Sequence, residues 1–163
     1  MQHTKRVPAP RRPQALAPIP RVRGVAYGVL DELLGYALRR AQVAMFVSFH
    51  RATRGLDITP PRFTALVVVG ANAGISQSAL GEALGIARSG AMLLTDWLQA
   101  RGLVERRRAS GDARAWGLHL TARGGRLVAD AHRRIQAEER AQAAVLRPAE
   151  RRQLLQLLNR IAG

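Results

Sequence analysis

The sequence predicts a mainly α-helical domain that carries one small β-hairpin. Hydrophobic residues make up 47% of the 163 residues but aromatic residues only 4%. We therefore expect a core of small aliphatic side chains, which suits closely packed helices. Most apolar residues recur at three- and four-residue spacing, the period of an amphipathic helix. One segment alternates instead, because single residues separate Trp116, Leu118 and Leu120, as in a strand.

The first predicted helix covers about residues 25–53 and is apolar on two faces. One face carries Leu30, Leu34, Ala37, Ala41, Met45 and Ser48, and the other carries Leu38, Val43, Phe46 and Phe49. A helix with two apolar faces must be covered on both. In a chain this short, we expect a second subunit to provide part of that cover.

Capping residues and glycines place the next three helices. Thr59 is the expected N-cap before Pro60, and this helix ends near residues 70–74. Ser76 caps a short helix that ends around Gly85, where a glycine can supply the tight turn of a helix-turn-helix. The second helix of that pair covers about residues 87–100 and ends before Gly102.

A basic hairpin and two further helices complete the prediction. Residues 103–106 and 116–120 are expected to pair as strands, and the loop 107–115 between them has Ser110, Gly111 and Asp112 at its tip. Helices follow over about residues 122–146 and 148–162. The last helix carries more large aliphatic residues than a short surface helix needs and again requires a partner: Leu154, Leu155, Leu157, Leu158 and Ile161.

The formal net charge of +15 arises because 26 Lys and Arg residues outnumber 11 Asp and Glu residues. A polyanionic partner such as nucleic acid accounts for this excess; the alternative is a basic surface that serves solubility alone. Lys5 is the only lysine. Guanidinium groups pair bidentately with phosphate and guanine, although heavy arginine usage also follows from a GC-rich genome.

Several kinds of site are not expected. The chain has no cysteine, and its histidines (His3, His50, His119 and His132) share no metal-ligand spacing, so neither a disulfide nor a zinc site is predicted. We also predict no cofactor and no enzymatic activity, because paired carboxylates, a nucleophile motif and a phosphate loop are all missing. No run of 18 apolar residues occurs, so we expect a cytosolic protein without a membrane span.

Residues 1–24 form a proline-rich arm with six cations and no acid. One hypothesis is an electrostatic arm that follows DNA phosphates or enters a minor groove. The alternative is a disordered tail or the product of an upstream start codon.

The helix pair and the arginine-rich hairpin together predict a winged helix-turn-helix that binds DNA. On the second helix, Arg88 is placed to take guanine O6 and N7, Ser89 a base or a phosphate, and Met92 a thymine methyl group. Met92 is equally well explained as a core residue.

The hairpin concentrates positive charge within nine residues: Arg106, Arg107, Arg108 and Arg114. A solvated charge run is the common explanation of such a cluster, but the glycine at the tip and the flanking strands favour a loop that enters a groove. Asp112 is expected to hold an arginine in position, since a free carboxylate facing phosphate would be repelled.

Residues 30–162 resemble the MarR family of bacterial transcriptional regulators. The resemblance lies in four segments, which occur in the family's order and spacing: 59–63 (TPPRF), 102–106 (GLVER), 112–114 (DAR) and 118–124 (LHLTARG). It implies an obligate homodimer formed by the first and last helices, with 25–58 and 122–163 as dimerisation helices and 59–121 as the winged helix-turn-helix. It also implies that Arg106, Asp112 and Arg114 contact DNA or orient toward it.

The resemblance further implies repression that a small ligand relieves, with a pocket between the dimerisation helices and the DNA-binding lobe. Three aromatic residues (Phe46, Phe49 and Phe63) and two polar ones (His50 and Arg54) fall in that region. Aromatic walls with a cation suit an aromatic acid, a phenol or an acyl-CoA. For each single residue the simpler explanation is favoured: the phenylalanines pack the helix junction, and His50 is a satisfied or exposed histidine. The resemblance nevertheless implies a ligand somewhere in that crevice.

Two hypotheses for function remain. The first is a homodimeric repressor that binds double-stranded DNA at a pseudo-palindromic operator. The alternative is a non-specific architectural protein that binds nucleic acid through charge alone, which explains the net charge but not the ordered hairpin motif.

Overall fold

A computed structural model describes residues 17–109 and 112–163, except for the side chains of residues 109 and 112–115. The helices are α1 (Leu34–Ala52), α2 (Pro60–Ala71), α3 (Gln77–Ala83), α4 (Arg88–Ala100), α5 (Ala122–Gln142) and α6 (Pro148–Ala162), and the strands are β1 (Val104–Ala109) and β2 (Asp112–Leu120). The chain divides into two compact units, Met1–Val47 and Ser48–Gly163. The mainly helical fold with one hairpin is confirmed.

In the first unit, α1 begins nine residues later than the sequence pattern predicts. A 3-10 turn over Gly28–Asp31 precedes it, and Gly24 and Gly28 have φ of +81° and +54°. A right-handed helix cannot include such residues, so the prediction of a helix from residue 25 is wrong. The segment before α1 is held by an ion pair of 2.5 Å between Arg21 and Asp31.

The core of the second unit is aliphatic, as the composition predicts. Its buried residues come from the loop before α2 and from every element between α2 and β2: Ile58, Ala65, Leu66, Val69, Leu80, Leu98, Leu103, Val104 and Leu118. A smaller cluster joins Ala52, at the end of α1, to Ala131 and Ile135 of α5. Beside it, the Ser48 hydroxyl donates a hydrogen bond to the side chain of Gln142.

The predicted helix pair is confirmed as α3 and α4. The Ser76 hydroxyl accepts a hydrogen bond from the backbone N–H of Ala79 at 3.1 Å and so caps α3. Gly85, in the turn, has φ of +63°, which suits glycine. The two helices approach so closely that a Cβ on Gly81 would lie 3.0 Å from the Cβ of Ala91. Thr59 is in the N-cap position of α2, but its side chain makes no capping hydrogen bond.

The strands of the hairpin are longer than predicted, and this corrects the loop assignment. Arg107 and Arg108 belong to β1, and β2 already begins at Asp112. The outer part of this ribbon lacks the apolar alternation that marks a half-buried strand, so the sequence pattern did not reveal it. Residues 110 and 111 of the predicted tip lie outside the described residues.

Backbone contacts attach the hairpin to the segment before α3. Leu118 exchanges two hydrogen bonds of 2.9 Å with Gly74 and Ile75. Beside this bridge, a Cβ on Gly117 would lie 2.6 Å from the carbonyl oxygen of Gly74. Only glycine fits at position 117, because the neighbouring group is backbone and cannot rotate away.

The start of α5 is fixed in a similar way. The Thr121 hydroxyl accepts a hydrogen bond from Gly124 N–H at 3.0 Å and donates one to the Gly102 carbonyl at 2.6 Å. At its other end, α5 stops at Gln142 rather than near residue 146, and a 3-10 turn follows over Ala143–Val145. No glycine or proline marks that end, which is why the pattern overran it.

The carboxylate of Glu150 stabilises the first turn of α6. It accepts hydrogen bonds from the Arg147 backbone N–H at 2.8 Å and from the Arg147 guanidinium at 2.6 Å. These bonds favour the ionised carboxylate and hold the pKa of Glu150 below its usual range.

We expect Gly124→Ala to lower the free energy of unfolding by about 1–3 kcal/mol. A Cβ at this position would lie 2.1 Å from the backbone oxygen of Leu103, so α5 or the segment just before β1 must shift. Gly125→Ala is the matched control, since its Cβ would meet nothing within 4 Å. That change should stabilise α5 by about 0.5–1 kcal/mol through helix propensity. Urea unfolding of both variants measures the difference, and equal effects would contradict the close approach.

Candidate nucleic-acid interface

The outward face of α4 is the first part of the candidate interface. Ala91, Thr95 and Leu98 are buried and anchor the opposite face of the helix. Arg88 and Ser89 are exposed in the first turn. Met92 is 47% exposed, so its side chain is not part of the core and the core-packing alternative is wrong. The outward residues of α4 are therefore one cation, one hydroxyl and two apolar side chains: Arg88, Ser89, Met92 and Leu93.

The N-terminus of α4 adds a backbone contribution. Ala87 is the N-cap and offers no side-chain acceptor, so no side chain caps the first turn of this helix. Free N–H groups and the positive end of the helix dipole favour an anion such as a DNA phosphate.

Arg106 connects the hairpin to both helices of the pair. Its Nη2 donates a hydrogen bond to Gln77 Oε1 at 2.7 Å and lies 3.4 Å from Asp96 Oδ1. Gln77 is the first residue of α3 and Asp96 lies on α4, so one guanidinium fixes three elements together. The sequence pattern gave no sign of Gln77 as a partner, because such a contact depends on how α3 packs.

The next two arginines of β1 point to different surroundings. Arg107 pairs with Glu105 on the same face of the strand, with Nη2 2.5 Å from the carboxylate. Arg108 lies opposite Trp116 in the antiparallel register, and its guanidinium carbon is 5.7 Å from the indole centroid. Trp116 is 53% exposed, so the hairpin presents an aromatic ring together with its cations.

Asp112 and Arg114 were predicted to contact or orient toward DNA. Their backbone lies in β2, but their side-chain positions are outside the described part of the structure. Residues 1–16 of the predicted arm also fall outside it. These assignments remain predictions.

The predicted effector residues belong to different surroundings. The rings of Phe49 and Phe63 meet edge to face with centroids 6.0 Å apart, and both pack against the core of the second unit. His50 and Arg54 are exposed. Phe46 belongs to the first unit and is 37% exposed. The Phe49–Phe63 pair therefore packs along the edge of the core, and the exposed His50 and Arg54 follow Phe49 closely in the chain.

A cation–π stack around Trp97 was not anticipated from the sequence. The guanidinium carbons of Arg62 and Arg101 lie 3.6 Å and 3.7 Å from the indole centroid. Two guanidinium groups cannot share one face at that distance, so they cover both faces of the ring. Asp57, at φ of +48°, pairs with both, at 3.8 Å from Arg62 and 2.9 Å from Arg101. Trp97 and Arg101 lie four residues apart at the end of α4, but Asp57 and Arg62 come from a distant segment, and no local pattern links the two pairs.

Within residues 17–109 and 112–163, no group of three or more His, Asp or Glu side chains is arranged to hold a metal ion. No helix in the same part of the chain has the length and apolar character needed to cross a membrane.

Comparisons with known proteins agree on one kind of molecule. Residues 56–115 match the sequence model described as "MarR family". A "Putative transcriptional regulatory protein for hcr operon" from Thauera aromatica is 33% identical over 138 residues, which is 84% of this chain and 83% of that protein.

Solved structures give the same result. The chain is similar to "Transcriptional repressor, CouR, bound to a 23-mer DNA duplex", with 35% identity, a TM-score of 0.80, and coverage of 85% of this chain and 99% of that one. It is also similar to CouR bound to p-coumaroyl-CoA, with 34% identity, a TM-score of 0.74, and coverage of 85% and 97%.

Proposed function

Because the chain belongs to the MarR family of DNA-binding transcriptional regulators, we propose that it is a homodimeric repressor that a small aromatic effector releases from a pseudo-palindromic operator. The relatives are regulators rather than enzymes. The single observation that carries the proposal is the exposed outward face of α4 beside a hairpin of cations, within one compact unit.

The DNA-binding face combines two modes of contact. Arg88 and Ser89 enter the major groove at the start of α4, where Met92 and Leu93 meet thymine methyl groups. Arg107 and Arg108 approach the adjacent backbone, and Arg114 enters the minor groove with Asp112 directing it. Arg106 acts indirectly, since its bonds to α3 and α4 set the angle between the hairpin and the helix pair.

Dimer formation is supported by apolar surface that α6 leaves uncovered. Leu154, Leu155, Leu157 and Ile161 are each 43–58% exposed, and no residue of α6 is buried in the single chain. Contiguous apolar surface of this kind marks a protein–protein interface. We assign residues 25–58 and 122–163 to dimerisation, 59–121 to DNA binding and 1–24 to a basic arm.

The effector is assigned to the region of Phe49 and Phe63, with His50 and Arg54 close by. A p-coumaroyl-CoA complex of the similar repressor CouR supports an aromatic acid, a phenol or an acyl-CoA as the class of ligand. An aromatic ring packs well against the edge-to-face phenylalanine pair, and a cation nearby neutralises a carboxylate or phosphate.

Specific binding is tested by anisotropy titration with the promoter DNA next to the gene and with a scrambled duplex. We expect two chains per operator and a preference for half-sites about one helical turn apart. If six to ten phosphates are contacted, affinity should fall roughly 10³–10⁵-fold between 50 mM and 200 mM salt, because counterions are released. Equal affinity for the scrambled duplex would instead favour a non-specific architectural protein.

Arg114→Ala should cost on the order of 1–3 kcal/mol of operator affinity if this side chain enters a groove. Arg12→Ala in the arm removes the same charge and is the matched control. It should weaken binding slightly and equally for all sequences, because it meets only phosphates. An Arg114→Ala protein that binds the operator as tightly as the parent would overturn the assignment of Arg114.

An aromatic acid or its CoA thioester should raise the melting temperature and release the operator. A ligand present at 100 times its dissociation constant adds about 2.7 kcal/mol to the free energy of unfolding. Arg54→Gln should reduce this shift for a carboxylate ligand, whereas Arg160→Gln on α6 should not, since it removes the same charge elsewhere. A thermal-shift screen followed by anisotropy measures both effects, and an unchanged shift in Arg54→Gln would exclude that cation as a ligand contact.

A further inference from the structure

A cavity of about 560 Å³ in the second unit is lined by none of the residues assigned above to DNA or effector. It lies where the loop between α1 and α2, the end of α4 and the first turns of α5 meet. Its apolar surface comes from Leu56, Leu103 and Leu127, and its cations are Arg101, Arg123 and Arg126. This size is within the range of small-molecule sites.

The α5 side of the cavity carries more positive charge than its carboxylates neutralise. Neither Arg123 nor Arg126 forms an ion pair with any carboxylate among the residues that the structure describes. The nearby acid, Asp130, is already bound by Arg133 at 3.0 Å and by Arg134 at 2.7 Å. Its negative charge is therefore compensated from outside the cavity, and the two lining arginines remain available for an anion.

Trp97 and Arg101 also line the cavity, and Arg62 covers the other face of the Trp97 ring. Asp57 lines the cavity, and its carboxylate pairs with both Arg62 and Arg101. Its negative charge is therefore already neutralised. Both faces of Trp97 are covered by guanidinium groups. An aromatic ligand consequently finds no ring face to stack on, and the cavity offers cations and aliphatic carbon instead.

We propose that this cavity binds a flexible phosphorylated small molecule. Arg123 and Arg126 bind phosphate oxygens, and Arg101 turns from Asp57 toward the same anion. A phosphate has enough charge and enough oxygens for several guanidinium groups, whereas one bidentate arginine satisfies a carboxylate. The aliphatic residues of the cavity then cover the flexible body of the ligand.

Free coenzyme A, which carries phosphates on a flexible chain and lacks an acyl group, is the probe. Trp97 reports its binding, because movement of the Arg101 guanidinium changes the environment of the indole. Trp116→Phe leaves Trp97 as the only tryptophan, so its fluorescence can be followed in the full-length protein. Calorimetry on the same protein gives the affinity independently, and benzoate serves as an aromatic carboxylate competitor.

The double change Arg123→Gln/Arg126→Gln should weaken coenzyme A binding at least tenfold. Arg151→Gln/Arg152→Gln on α6 removes the same charge away from the cavity and should change affinity less than twofold. Asp57→Asn should have the opposite effect and tighten binding, because it removes the carboxylate that competes for Arg101. Asparagine tolerates the positive φ of this position, so the variant keeps the loop geometry.

Equal weakening of coenzyme A binding in both double variants would show attraction by net charge alone and would overturn the proposal. Displacement of coenzyme A by benzoate would also overturn it, as would a failure of the unmodified protein to bind coenzyme A. These results are separable from those for DNA. Arg123→Gln/Arg126→Gln should still prefer operator over scrambled DNA as strongly as Arg151→Gln/Arg152→Gln does, so that loss of coenzyme A binding leaves the repressor assignment intact.

Discussion

Backbone contact between the hairpin and its neighbours is the constraint on which the DNA-binding unit depends. Leu118 pairs with Gly74 and Ile75, and Gly117 allows the two backbones to meet. A few residues further on, Gly124 lies directly against the carbonyl of Leu103. Because these contacts involve backbone rather than side chains, the hairpin has a fixed direction relative to α3 and to α5. A fixed direction allows a cationic loop to meet a groove without first being ordered.

Polar side chains then complete the geometry that the backbone begins. Arg106 reaches Gln77 and Asp96, so the strand that carries the basic residues is tied to both helices of the pair. The ion pair with Asp96 is exposed and contributes little to the free energy of unfolding. Its value lies in orientation, since it limits how the hairpin can rotate about the helix pair. We therefore expect this arginine to influence DNA affinity through orientation, without touching a base.

The two ends of α4 differ in their contacts. Its N-terminal turn exposes Arg88 and Ser89 without a side-chain cap, which suits contact with bases and phosphates. Its C-terminal turn carries Trp97, held between two arginines that share Asp57. The first turn of the recognition helix is thus accessible, whereas its last turn is held by cation–π contacts and an ion pair. A ligand that draws Arg101 from Asp57 acts on the last turn, which gives the cavity a physical connection to the DNA-binding face.

The sequence by itself determined the fold class, the helix pair and the basic hairpin, because caps, glycines and apolar spacing are local signals. Ser76 and Gly85 act as predicted, whereas the start of α1 was misplaced because the positive φ of Gly28 cannot be read from the residue name. Only the tertiary structure decided that Met92 faces outward, that Arg106 is tied to Gln77, and that Trp97 is enclosed by Arg62 and Arg101. Apart from the local contact between Trp97 and Arg101, these outcomes depend on how segments far apart in the chain pack together, which no local periodicity records.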